Sequence, residues 1–79
     1  MKYCYRRIRD LREDRDLTQS EIAQLLNIHQ STYSDYESGN LNLPVEALVT
    51  LANFYNTSTD YLLGLTDKTT PYPKSDIKP

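Results

Sequence analysis

The sequence contains a single cysteine, Cys4, and only two glycines among its 79 residues. One thiol forms no disulfide within the chain and supplies no thiolate cluster, so packing alone must stabilise the fold. No apolar run reaches the roughly 20 residues that span a bilayer. The first residues, MKYCYRRIRD, also lack the apolar stretch of a signal peptide. We therefore expect a cytoplasmic protein that has no contact with a membrane.

Lysine and arginine are absent from residues 16–65, where six acidic residues give a charge of -6. Residues 1–15 contain six basic and three acidic residues, and the whole chain has a net charge of -2. An electrostatic contact with an anionic partner therefore depends on the N-terminal segment.

Sequence features that catalysis requires are also missing. No nucleophile has a nearby base, no group of residues has metal-ligand spacing, and Gly39 and Gly64 do not form a phosphate-binding loop. A lone histidine, His29, makes a metal site or a catalytic role improbable. We expect a chain that is not an enzyme and has no cofactor, no metal and no evident small-molecule ligand.

Local patterns in the N-terminal half predict short helices. Ile8 and Leu11 stand three apart in an Arg-rich background, which is typical of an amphipathic helix. Thr18 and Glu21 have the spacing of a capping box, which predicts the start of a second helix. Asn27 tolerates the left-handed conformation that ends many helices. A third helix is expected to begin shortly after it.

The C-terminal half predicts two more helices. Gly39 is a stop signal for helix 3, and Pro44 is well placed for the first turn of helix 4. Ser58, together with Asp60, can cap a short fifth helix that Gly64 ends. The apolar face predicted for helix 4 consists of Val45, Leu48, Val49, Leu51, Ala52 and Tyr55.

Two segments carry a resemblance to a known family. They are LREDRDLTQSEIAQLLNIHQSTYSDYESGN and PVEALVTLANFYNTSTDYLLGLTD. The chain resembles the phage-repressor and Cro-type (Xre-like) helix-turn-helix family over nearly all of residues 8–67. The resemblance implies an all-α fold, a compact five-helix lambda-repressor-like domain over residues 1–65, followed by a Pro-containing tail over residues 66–79.

The resemblance also implies roles for individual residues. Gln19 matches the family's phosphate-binding glutamine at the start of helix 2, and Arg12 and Glu37 match a pair that joins helix 1 to helix 3. The base-facing positions of helix 3 are held by Gln30, Ser31, Ser34 and Asp35. Other expected phosphate contacts are His29, Ser38, Asn40, Asn42, Arg6 and Arg9.

Several of these assignments have alternatives. A polar face on a surface helix is usually only solvated. His29 either caps helix 3 weakly or contacts a phosphate, and the phosphate contact is slightly favoured. The loop after helix 3 lacks the Lys or Arg common in the family, which predicts weak non-specific binding. Arg6, Arg7 and Arg9 compensate if helix 1 lies near the DNA backbone. Asp16 stands where the family often has Gly.

Leucines expected at the surface favour a homodimer. Leu25, Leu41 and Leu43 suit a subunit interface, and related proteins bind two half-sites one helical turn apart. The interface is predicted to contain Leu41, Leu43, Tyr61 and Leu65.

These expectations combine into one leading function and one alternative. The leading hypothesis is a sequence-specific transcriptional regulator, a repressor, that reads the major groove of double-stranded DNA with helix 3. Because residues 16–65 contain no Lys or Arg, the alternative is a protein-interaction module on the same scaffold with little DNA affinity.

Overall fold

Five short α-helices follow one another along residues 5–73, the part of the chain that the computed structural model describes. No strand occurs within these residues, which confirms the predicted all-α fold. The helices are α1 (Arg6–Asp14), α2 (Gln19–Leu26), α3 (Gln30–Ser38), α4 (Val45–Phe54) and α5 (Thr59–Leu63).

Side-chain caps start α2 and α5, as predicted. The Thr18 hydroxyl accepts from the Glu21 N–H at 3.1 Å, and the Glu21 carboxylate accepts from the Thr18 N–H at 3.0 Å. The Ser58 hydroxyl accepts from the Tyr61 N–H at 3.0 Å. The Asp60 carboxylate lies in the first turn of α5, where an acidic side chain is favoured, and Ser58 makes the side-chain capping bond.

All five helices end in the same way. After each helix, one residue adopts the left-handed conformation, with φ between 55 and 80°. These residues are Asp16, Asn27, Gly39, Asn56 and Gly64. In each case the next residue donates its N–H to the carbonyl five positions earlier, at 2.9 to 3.0 Å. This pairing satisfies carbonyls that a helix end would otherwise leave open. The turns are therefore short and their geometry is fixed.

The core lies where the five helices meet. It consists of Tyr5, Ile8, Ile22, Ala23, Tyr33, Tyr36, Leu51, Ala52, Tyr55 and Leu62. The prediction that Val45 and Val49 share this face is wrong, since their exposed fractions are 75% and 44%. The fully buried residues of α4 are in its C-terminal half, and Leu48 packs against the edge of the core.

The segment after α5 returns to the helices. Arg7 donates to the Thr66 carbonyl and, at 2.8 Å, to the Asp67 carboxylate. The Tyr72 hydroxyl donates to the Asp60 carboxylate at 2.9 Å. The division of the chain at residue 65 stays a prediction, and the last part of the expected tail, residues 74–79, lies outside the described residues.

Replacing Asp16 by glycine should stabilise the fold. Asp16 has a φ of 56°, which strains an L-residue but not glycine. We expect Asp16→Gly to raise the free energy of unfolding by about 0.5 to 1 kcal/mol in denaturant titration. The control Asp10→Gly, within α1, should lower it by about 1 kcal/mol. A less stable Asp16→Gly protein would contradict the strain argument.

Candidate nucleic-acid interface

Helices α2 and α3 form a tight pair whose outer surface is polar. Tyr33 and Tyr36 point into the core with exposed fractions of 0% and 7%. Because these two side chains are three positions apart, they fix which side of α3 faces inward. The outward side carries the predicted base-reading residues, of which Gln30 and Ser31 are exposed and Ser34 and Asp35 are half-buried.

A bidentate ion pair connects α1 to the end of α3. The Arg12 guanidinium donates to the two carboxylate oxygens of Glu37, with Nε–Oε2 at 2.7 Å and Nη2–Oε1 at 3.1 Å. The exposed fractions of these side chains are 12% and 4%. Arg12 also donates to the Leu17 carbonyl at 2.8 Å, in the turn before α2. The structure therefore contains the expected ion pair in a nearly buried setting.

Gln19, the predicted phosphate contact, is held by the same carboxylate. Its amide nitrogen donates to Glu37 Oε1 at 3.1 Å. An amide nitrogen has two protons, so one remains for an external acceptor. Gln19 is the first residue of α2, where backbone N–H groups also lack helical partners.

Competing effects set the ionisation of Glu37. Burial raises its pKa, but the hydrogen bonds from Arg12 and Gln19, together with the nearby Tyr33 hydroxyl, outweigh burial and hold the pKa below its ordinary value. The Tyr33 hydroxyl itself makes no hydrogen bond within residues 5–73. Burial and the interaction with the Glu37 carboxylate both raise the pKa of Tyr33. Glu37 is therefore an anion at neutral pH and Tyr33 is neutral.

The remaining polar candidates surround this centre. Ser34 and Ser38 line a surface pocket together with Arg9 and Gln19. His29 precedes α3 without a side-chain capping hydrogen bond, so the capping alternative is wrong. The loop residue Asn40 is exposed, and Asn42 accepts from the Tyr5 hydroxyl at 3.4 Å.

The arginines of α1 divide into two groups. Arg6 and Arg9 are exposed and pair with Asp10 and Glu13 one helical turn away, at 3.9 and 3.5 Å. Such pairs are weak and easily exchanged. These two cations therefore remain accessible to an anionic partner.

Arg7 and Arg15 are used inside the protein, a role that the sequence did not indicate. Arg7 donates to the Tyr61 carbonyl at 2.8 Å, and its guanidinium lies 4.2 Å from the Tyr61 ring centroid. Arg15 donates to the carbonyl groups of Phe54 and Tyr55. Both arginines lie at helix C-terminal ends, where cations are favoured. The idea that Arg7 compensates for missing cations at the DNA is therefore not supported.

The proposed interface leucines differ in exposure. Leu41 and Leu65 are 46% and 63% exposed. Leu43 was expected at the surface but is half-buried against the core, since its N–H donates to the buried Tyr5 side chain at 3.2 Å. Tyr61 is also half-buried, and Arg7 covers one face of its ring.

Comparison with known proteins identifies the family. A helix-turn-helix profile matches residues 8–62. The chain belongs to the helix-turn-helix family. The resemblance inferred from the sequence motifs is thereby confirmed.

Relatives within the family are regulators. The chain is 42% identical to the uncharacterized HTH-type transcriptional regulator YobD of Bacillus subtilis, over 96% of this chain and 65% of that protein. It is 41% identical to the HTH-type transcriptional regulator ImmR of Bacillus subtilis, over 75% of this chain and 46% of that protein. It is 43% identical to the cryptic phage CTXphi transcriptional repressor RstR of Vibrio cholerae, over 62% of this chain and 44% of that protein.

A solved structure supports the same assignment. The crystal structure of a transcriptional regulator from Listeria innocua matches with a TM-score of 0.75 and 28% identity, over 86% of this chain and 64% of that chain. The chain spans about half to two thirds of the length of these relatives. They are regulators and not enzymes, which agrees with the expectation that this chain is not an enzyme.

The described residues contain neither a cluster of metal-ligating side chains nor a membrane-spanning helix. Within residues 5–73, no group of three or more His, Cys, Asp or Glu side chains is placed to hold a metal ion. No helix in the same range is long and apolar enough to cross a membrane.

The Glu37 network predicts a specific acid response. Because the folded-state pKa of Glu37 is lowered, its contribution to stability is present above the ordinary pKa of 4.5 and is lost as the pH falls. We expect Glu37→Gln to be less stable than the wild type at pH 7 and to lose less stability on acidification. Denaturant titrations across pH measure both effects, with Glu46→Gln, an exposed carboxylate of α4, as the control. Equal pH slopes for Glu37→Gln and wild type would contradict this role.

Proposed function

We propose that the chain is the DNA-binding part of a transcriptional regulator, and that α3 reads bases in the major groove. The observation that carries the proposal is the division of α3 into two faces. Tyr33 and Tyr36 anchor one face in the core, and the other face presents donors and acceptors to solvent. In helix-turn-helix proteins the second helix of the pair lies in the major groove, with its solvent-facing side toward the base edges.

Each polar residue then has a role set by its position. We assign base contacts to Gln30, Ser31, Ser34 and Asp35, because amide, hydroxyl and carboxylate groups match base edges. Phosphate contacts are assigned to polar residues at the N-terminus of α2, at both ends of α3, in the loop after α3 and on α1. These residues are Gln19, His29, Ser38, Asn40, Asn42, Arg6 and Arg9. Regulation of this kind takes place in the cytoplasm.

We further propose a homodimer on a palindromic operator. One recognition helix reads only a few base pairs, so two half-sites about 34 Å apart raise specificity. The exposed side chains of Leu41 and Leu65 are the best candidates for subunit contacts, with Leu43 and Tyr61 at their edges. A repressor role is supported by the likeness to RstR, whose name describes a repressor.

Selection of bound duplexes from a random DNA pool at low salt tests this function. We expect an enriched inverted repeat, because a symmetric dimer reads each half-site in opposite orientation. An enriched single site would contradict the dimer, and a folded protein that enriches no sequence would contradict DNA reading altogether.

A second candidate function is protein interaction on the same scaffold. It is favoured by the hydrogen bonds that Arg7, Arg12 and Arg15 make within the protein. Among the arginines of residues 5–73, this leaves Arg6 and Arg9 as those held only by weak surface ion pairs. Few accessible cations imply little counterion release. The DNA selection separates the two candidates, since an interaction module would enrich no duplex.

Substitutions of two glutamines distinguish base reading from phosphate binding. Gln30→Ala should reduce discrimination at one base position by about 1 to 3 kcal/mol, because a base-edge hydrogen-bond pair is lost. Gln19→Ala should weaken all sequences to a similar extent, since phosphates are common to all of them. Binding measurements on single-base variants of the selected site check both outcomes. An unchanged base preference for Gln30→Ala would remove Gln30 from the reading set.

The salt dependence of binding should be shallow. Each neutralised phosphate contributes about -0.9 to the slope of log K against log salt. We expect Arg6→Gln and Arg9→Gln each to reduce the slope by about 1 per chain, and Lys68→Gln, in the segment after α5, to leave it unchanged. Slopes unaffected by Arg6→Gln and Arg9→Gln would contradict the assignment of α1 to the DNA backbone.

A further inference from the structure

A side-chain hydrogen bond crosses the helix-turn-helix on its exposed side. The Ser20 hydroxyl donates to Gln30 Oε1 at 2.8 Å. Ser20 is the second residue of α2 and Gln30 is the first residue of α3, and both are exposed. The bond therefore connects the two helices directly beside the proposed base-reading surface.

This bond changes what Gln30 offers to a base. A glutamine amide has one acceptor oxygen and a nitrogen with two protons. The Ser20 hydroxyl takes one of the two acceptor positions of this oxygen and directs the oxygen toward α2, whereas the Gln30 amide nitrogen donates to no acceptor within residues 5–73. With the oxygen turned toward α2, the end of the amide that points away from α2 is its donor nitrogen.

Gln19 lies next to Ser20 in the sequence, but it does not hold the Gln30 side chain. Its amide nitrogen donates to Glu37, at the opposite end of α3. The first two residues of α2 therefore hold the two ends of α3, with Gln19 at the buried carboxylate and Ser20 at the exposed glutamine. Only the second contact acts on a residue assigned to base reading.

Guanine and adenine differ in the hydrogen-bonding groups that they present to a donor such as the Gln30 amide nitrogen. Guanine presents two neighbouring acceptors in the major groove, N7 and O6. Adenine presents an acceptor and a donor, and it pairs with glutamine only when the amide oxygen is also free to accept in the right place. We propose that Ser20 is a specificity-determining residue, which turns the Gln30 amide so that it selects guanine rather than adenine. This proposal rests on the proposed DNA-reading function.

The test is duplex selection with five proteins under the same conditions. Wild type is compared with Ser20→Ala, which removes the hydroxyl, and with Ser20→Thr, which keeps it. Thr50→Ala is the control, since it removes an exposed hydroxyl that bonds only to its own helix, at the Glu46 carbonyl. Far-ultraviolet circular dichroism and melting curves establish that each variant is folded. The position read by Gln30 is identified as the one that loses its preference in Gln30→Ala.

We expect wild type, Ser20→Thr and Thr50→Ala to select guanine at that position. Ser20→Ala should shift the preference toward adenine, with a change in the guanine-to-adenine ratio of about tenfold. Other positions of the site should keep their preferences, which distinguishes this role from general destabilisation.

Two results would overturn the proposal in different ways. The same base preference in wild type and folded Ser20→Ala, or adenine in wild type, would refute the role of Ser20 while leaving DNA reading intact. No enriched sequence for the folded wild type would refute the proposed function itself, and the specificity proposal with it.

Discussion

The buried ion pair between Arg12 and Glu37 is the contact on which the arrangement of the first three helices depends. Arg12 reaches from α1 to the turn before α2, and Glu37 reaches from α3 to Gln19 at the start of α2. Removal of one member leaves the other as an unpaired buried charge, which costs about 3 to 5 kcal/mol. The pair therefore fixes the position of α3 relative to the N-terminus of α2. These are the two elements that the proposed function brings to DNA.

Arginines that form hydrogen bonds within the protein are not available to neutralise the phosphates of a bound nucleic acid. Arg7 and Arg15 close the C-terminal ends of α5 and α4, and Arg12 pairs with Glu37. Three of the five arginines in residues 6–15 therefore maintain the fold. A protein that neutralises few phosphates gains little affinity from counterion release. Under the proposed function, hydrogen bonds to base edges then provide a larger share of the binding energy, which favours sequence selectivity over tight non-specific binding.

Local sequence signals predicted much of the fold, whereas long-range contacts were not predictable. The capping box at Thr18 and the left-handed residue Asn27 act over a few residues, so their spacing in the sequence is sufficient. The exposure of Val45 depends instead on how far α4 extends past the core. At the candidate site, the sequence indicated which face of α3 is polar. The bond between Ser20 and Gln30 depends on the angle between two helices, which no local pattern specifies.

Mapping of backbone amide chemical shifts during titration with the selected duplex tests the central claim most directly. We expect the largest changes at the start of α2 and along α3, with smaller changes on α1 and in the loop before α4. Changes concentrated on the exposed half of α4 around Val45 and Val49, with α3 unaffected, would contradict it.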